Sequence, residues 1–140
     1  MYRLVCYLWS TRTHKIFGQI PDPVENLRLI LYTDADHASG IDFTQSTSGT
    51  YLCIEGPSSF CPLSWMSKKQ TSTSRSTTEA DFVSLAAGLF DALPTLDFAD
   101  KLLGKDLQLE CRQDNSAVIS IVHRGYSPKL RHVTNVVRRI

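Results

Sequence analysis

From Leu27 onward the apolar positions recur every second residue. Leu27, Leu29 and Leu31 alternate with Arg28, Ile30 and Tyr32, which predicts a strand ending at Asp34 and Asp36. The stretches STSGTYLCIEG and CPLSWMSKKQ are short, rich in β-branched and aromatic residues, and bounded by Gly, Pro or Ser. Three such strands with short connections predict an antiparallel meander.

The period then changes. STTEADFVSLAAGLFDAL sets Phe82, Val83, Ala86, Leu89, Phe90 and Leu93 on one helical stripe, which Pro94 should end or kink. TLDFADKLLG predicts a second helical piece closing at Gly104. LQLEC reads as a strand, DNSAVISIVHR as a helix capped at its start, and RHVTNVVRRI as the beginning of a basic helix. Three strands, a helix, a strand and two helices make a mixed α/β sheet, with the fourth strand beside the first after a helical crossover. Upstream, Leu4, Val5, Leu8 and Trp9 fall at helical spacing, TRTHKIFGQI could add a short strand, and PDPVEN reads as a connector. Trp65, Phe82 and Phe90 are read as core rather than as stacking platforms.

Bulk composition narrows the function classes. With 140 residues and 42% hydrophobic residues the chain suits one domain with a real core. Fifteen Lys and Arg balanced by 14 Asp and Glu give no global charge that would draw nucleic acid or a membrane, so any basic surface is local. Cys6, Cys53, Cys61 and Cys111 show no zinc spacing and are read as buried free thiols of a reducing compartment. No leader pattern or membrane-length apolar run stands out, which suggests a soluble, intracellular protein.

Three carboxylates carry the candidate chemistry, and each has a plain structural alternative. Glu79 begins the apolar stripe, yet Ser76-Thr77-Thr78-Glu79 also fits a capping box. Asp114 follows a strand and precedes a helix, where it could be a cap, while Asp34 and Asp36 could be turn residues. In the strand order above, however, Asp34, Glu79 and Asp114 converge, and three carboxylates brought together without a cation raise one another's pKa. Oxygen-rich sites of this kind suit Mg²⁺ or Mn²⁺, and a bridging aspartate holds two ions about 3.5–4 Å apart. The implied chemistry is phosphodiester hydrolysis.

The ordered words YTDAD, STSGTY, LSWMSKKQ, STTEADF, QDNSA and RHV, spread from Tyr32 to Val133, resemble the ribonuclease H domain of copia-type LTR retrotransposon polyproteins. The resemblance implies a five-stranded mixed sheet flanked by helices, with Asp34, Glu79 and Asp114 as catalytic metal ligands and two Mg²⁺ or Mn²⁺ ions. It also implies an RNA/DNA hybrid as substrate and a reverse transcriptase domain in the same polyprotein. Residues 1–26 then form the tail of that domain and a connector, and 27–140 the ribonuclease H-like domain, working in the cytoplasm within a virus-like particle. Where the family commonly carries its fourth acid this chain has Thr134, with neutral Asn135 beside it, which weakens the expected second metal site.

Recognition of a hybrid needs phosphate and 2′-hydroxyl contacts rather than base readout. Lys68, Lys69, Arg75, Arg124, Lys129 and Arg131 are candidate phosphate contacts, and equally a solvated charged face. Gln45, Ser46 and Ser48 could reach the minor groove and Asn115 sits beside Asp114, although turns and caps account for them as well. His132 is either a proton shuttle or a packing residue, and Asp36 stays open between support for the metal site and a turn. The leading reading is a metal-dependent ribonuclease H. The alternatives are a catalytically degenerate hybrid-binding or connecting module and, less favoured by the flanking words, a polynucleotidyl transferase.

Overall fold

Strand β1 (Arg28–Asp36) lies at the centre of the sheet, because it pairs on both sides. The structure is a computed structural model that describes residues 1–37 and 45–124. β2 (Thr47–Glu55) runs antiparallel to β1, β3 (Phe60–Lys69) antiparallel to β2, and β4 (Gln108–Arg112) parallel to β1, giving the order β3-β2-β1-β4. The predicted meander and crossover are both present. Four strands appear among the described residues, as read from the periodicity, whereas the resemblance implied five. β3 is an edge strand, which tolerates Pro62, and the β2–β3 register shifts between Leu52 and Cys53 where Cys53 faces Pro62.

The crossover is a single helix, α2 (Thr77–Leu103), that passes unbroken through Pro94. The sequence reading had it end or kink there and resume as a second piece. Pro94 removes one donor from the helix on an exposed face, where the freed carbonyl is open to solvent, and the Thr95 hydroxyl donates to the Asp91 carbonyl at 3.0 Å next to it. Gly104 then ends the helix in the left-handed conformation, at φ 66°, as expected.

The buried stripe of α2 differs from the predicted one. Phe82, Leu85, Leu89, Ala92 and Ala99 join Leu27, Leu29, Leu31, Leu52 and Ile54 in the core, while Phe90 is 68% exposed and Leu93 is at the surface. Trp65, also expected in the core, is 62% exposed on the edge strand. The first turns of α2 are buried on nearly every side, from Glu79 to Ala86 with only Val83 partly open, so a single-face pattern could not describe them. At Gly88 the helix touches the sheet closely: a Cβ there would stand 3.1 Å from side-chain carbons of Leu31, Thr33 and Thr50. By length and composition α2 could also cross a membrane, a length the sequence reading did not credit, but its buried face makes it the core helix of this sheet.

Helix α1 (Tyr2–Ser10) has no buried residue. The segment after it behaves otherwise. Gln19 bridges to Phe60, Gly18 lies against Cys61, and the Asp22 carboxylate accepts the Ser58 N–H at 2.7 Å and the Ser59 hydroxyl at 2.6 Å. The supposed connector is therefore fastened to the β2–β3 turn. Of the four free cysteines only Cys53 is buried, whereas Cys6 and Cys111 are exposed, so burial does not account for them as a group. Helix α3 (Ser116–Arg124) closes the described chain and buries Val118.

Candidate functional site

The Asp34 side chain follows from the alternation of β1. Leu29, Leu31 and Thr33 point toward α2, so Asp34 emerges on the opposite face of the sheet, and it is exposed. Its Oδ1 accepts the N–H of Ala35 at 2.8 Å, the local bond expected of a turn-like aspartate. Asp114 leaves the end of the parallel neighbour β4. The last paired residues are Tyr32 and Arg112, and each aspartate lies two residues beyond its member of that pair.

Asp34 and Asp114 line one open cleft of about 840 Å³ that crosses all four strands, together with Tyr32, Tyr51, Met66 and Gln113. Asn115, not Asp114, caps α3: its Oδ1 accepts the N–H groups of Ala117 at 3.0 Å and Val118 at 3.4 Å. The Asp114 carboxylate is thereby spared from capping.

Glu79 is not among the residues that line that cleft. It is 7% exposed in the first turn of α2, its N–H donates to the Ser76 hydroxyl at 3.2 Å, and its Oε2 accepts the Arg75 N–H at 2.8 Å. The capping alternative thus describes the Glu79 geometry. Among the described residues no three His, Cys, Asp or Glu side chains are grouped so as to hold a metal ion. Two aspartates on one open cleft nevertheless fit one Mg²⁺ or Mn²⁺, because such ions use one or two carboxylates and fill the remaining positions with water or phosphate oxygens.

The other named residues divide. Lys68 and Lys69 end β3 at the surface, Arg75 and Arg124 are exposed, and Gln45 is exposed just before β2. Ser46 and Ser48 are both buried, and Ser48 accepts the Gln70 Nε2–H at 3.0 Å while the Ser46 carbonyl accepts the Gln70 backbone N–H. Asp36 closes β1 opposite Thr47 and does not line the cleft. Lys129, Arg131, His132 and Thr134 lie outside the described residues.

Three residues that the sequence reading passed over hold the site together. Gln70 is buried, donating also to the Ala80 carbonyl at 2.8 Å and accepting from Ser74. Ser84, fully buried on α2, places its hydroxyl 2.6 Å from the Asp34 carbonyl and 3.1 Å from that of Gly49. Asp81, also buried, accepts the Asn115 Nδ2–H at 2.9 Å. No sequence period marks Gln70. Ser84 and Asp81 could have been found as polar members of the α2 face that also carries Leu85 and Gly88.

Beside the cleft a charged network crosses the open face. Arg112 meets Glu110 at 2.9 Å and Glu55 at 3.2 Å and also donates to the Tyr32 hydroxyl, which itself donates to Glu55 at 2.8 Å. The Glu55 hydrogen bond, then burial, raise the Tyr32 pKa, and Arg112 holds Glu110 below the usual carboxylate range. With its charge answered by two glutamates, Arg112 orders the strands more readily than it attracts phosphate.

No family model matches the chain. It is 40% identical over 84 residues to the retrovirus-related Pol polyproteins of the Arabidopsis thaliana transposons RE1 and RE2, an alignment covering 60% of this chain and 5% of theirs. It is 33% identical over 91 residues to the secreted RxLR effector protein 161 of Plasmopara viticola, covering 65% of this chain and 59% of that one. The chain thus spans only a small part of the transposon polyproteins. Among solved structures, the LC11 ribonuclease H1 from a compost metagenome superposes with a TM-score of 0.53 at 22% identity, over 80% of this chain and 71% of that one. Ribonuclease H1 of Halobacterium salinarum gives 0.50 at 16% identity, over 80% and 75%. The fold is that of ribonuclease H, and two of the sequence relatives are retrotransposon polyproteins, in agreement with the resemblance read from the ordered words.

Proposed function

We propose that the chain is a metal-dependent ribonuclease H acting on the RNA strand of an RNA/DNA hybrid during reverse transcription of a retrotransposon. The observation that carries this reading is the pair Asp34 and Asp114 on one open cleft at the ends of adjacent parallel strands, within a ribonuclease H fold. These two carboxylates would hold a divalent cation, with Glu79 as the third ligand that the resemblance assigns. When bound, the cation supplies electrophilic activation of water and charge stabilisation at the leaving oxygen. The chain's own part is to fix the two aspartates: Ser84 anchors the backbone at Asp34, and Asn115 takes over the cap beside Asp114. Lys68, Lys69 and Arg75 would meet backbone phosphates, a sequence-neutral contact suited to a hybrid. A reverse transcriptase domain of the same polyprotein is the proposed neighbour, and the cytoplasmic, virus-like particle the proposed setting.

A second reading has its own support. Glu79 spends an oxygen on the Arg75 N–H as a cap, and Thr134 stands where an acid is expected, as in a catalytically degenerate module that binds hybrid without cutting it. One experiment separates the two. A labelled RNA/DNA hybrid is incubated with the chain in Mg²⁺, Mn²⁺ or EDTA, alongside Asp34→Asn and Asp114→Asn. Cation-dependent cutting of the RNA that either substitution abolishes supports the nuclease. Retention of hybrid without cutting supports the degenerate module, and cutting that survives Asp34→Asn rejects the assigned site.

A further inference from the structure

The turn from β4 into α3 carries Asp114, and a side chain of α2 holds it from outside. Asp81 of α2 is 6% exposed and lies two residues beyond Glu79. Its Oδ2 accepts the Asn115 Nδ2–H at 2.9 Å, and Asn115 Oδ1 in turn accepts from Ala117 and Val118. Asn115 is therefore gripped at both ends of its amide, by α2 on one side and by the first turn of α3 on the other. Its chain neighbour is Asp114, whose N–H donates to Gln113 Oε1 at 2.9 Å.

The other Asp81 oxygen, Oδ1, is buried with no hydrogen-bond partner among the described residues. A buried carboxylate served, among the described residues, by one neutral amide is a poor stabilising device, since an apolar residue of similar volume would spare the cost of desolvation. Asn115 is only partly buried, so without Asp81 its amide could turn to water. Stability alone does not explain this carboxylate.

We propose that Asp81 is a positioning residue for the cation site: through Asn115 it fixes the β4–α3 turn so that the Asp114 carboxylate stays on the cleft beside Asp34. The inference rests on the ribonuclease reading for the identity of the site, and it adds a link from the Glu79 end of α2 to Asp114. Hydrogen bonds around metal-binding carboxylates orient them, and their loss commonly costs 10- to 100-fold in metal affinity.

The test uses the ¹⁵N-labelled chain titrated with Mg²⁺ and followed by amide shifts at Asp34 and Asp114, with thermal melting and hybrid cleavage measured on the same samples. Asp81→Leu should raise the Mg²⁺ midpoint at Asp114 about tenfold without lowering Tm. Asp81→Asn, which keeps an acceptor for Asn115, should restore the midpoint. Asn115→Ser retains a capping oxygen but loses the amide donor, so it should reproduce the Asp81→Leu defect even if that variant folds poorly. A wild-type midpoint in Asp81→Leu or Asn115→Ser overturns the proposal. So does a midpoint that Asp81→Asn fails to restore. Should the unsubstituted chain bind Mg²⁺ at both aspartates yet cut nothing, the nuclease reading fails while the positioning role is still decided by the midpoints. Absence of any Mg²⁺ shift overturns both.

Discussion

The Ser84 hydroxyl lies 2.6 Å from the backbone carbonyl of Asp34, joining the core helix to the central strand at the residue that faces the cleft. Ser84→Ala removes a side-chain donor to that carbonyl, in a fully buried place. The expected loss of stability is about 1–3 kcal/mol, the cost of leaving a buried acceptor poorly satisfied. Urea unfolding of the two chains measures it, and an unchanged midpoint would refute the role.

Gly88→Ala sets two effects against each other. Alanine gains about 1 kcal/mol of helix propensity, but its methyl would press on Leu31, Thr33 and Thr50 at 3.1 Å at once. Overpacking of this kind costs about 1–3 kcal/mol, and three neighbours on a rigid sheet leave little room to yield. A net loss of roughly 1 kcal/mol is expected, read as a lower Tm.

Glu79 separates its two duties by substitution. Glu79→Gln keeps an oxygen for the Arg75 N–H, so the melting temperature should hold, whereas Glu79→Ala loses the bond and should cost about 1 kcal/mol. If Glu79 also acts on the cation, hybrid cleavage falls in both variants. Full cleavage by Glu79→Gln would leave it a cap alone.

Acid should loosen the clamp at Asp22. Hydrogen bonds from Ser59 and Ser58 lower its pKa from the ordinary value of 3.8, so the folded chain binds this proton less readily than the unfolded one. Its contribution is complete above about pH 4–5 and is lost as pH falls through the lowered value. Melting curves from pH 6 to pH 2 should show a shallower acid decline in Asp22→Asn, which lacks the contribution at every pH.

Thiol chemistry should follow burial. Desolvation, then the hydrogen bond to Glu55, push the Cys53 thiol up to about 12, so it remains protonated at pH 8. Cys6 should react first with iodoacetamide on the folded chain, Cys111 more slowly because burial raises its thiol pKa, and Cys53 only after unfolding. Mass spectrometry of the labelled peptides gives the order.

Alternation made β1 legible because its two faces meet different surroundings, and the turn residues around β2 and β3 set the meander. α2 was harder. Pro94 argues for a break by its local geometry, yet packing of Ala92, Leu96 and Ala99 on either side keeps the helix whole. Phe90 and Trp65 misled because size and hydrophobicity do not reveal which face a neighbouring element covers. For the site, strand order placed Asp34 and Asp114 together, since each lies two residues beyond the last pair of two parallel neighbours. It could not show that Glu79 spends an oxygen on Arg75, that Gln70 draws Ser48 inward, or that Asp81 reaches Asn115, because each of these depends on side-chain directions between elements.

The fastening of Asp22 and Gln19 moves the effective beginning of the folded body upstream of the first strand. A protease would meet an exposed helix and exposed chain down to Phe17, then backbone tied to the sheet by the Gln19–Phe60 bridge. Shortening the chain to start at Leu27 would strip a brace from the β2–β3 hairpin, and that hairpin carries Gly49, Tyr51 and Met66 along one wall of the cleft.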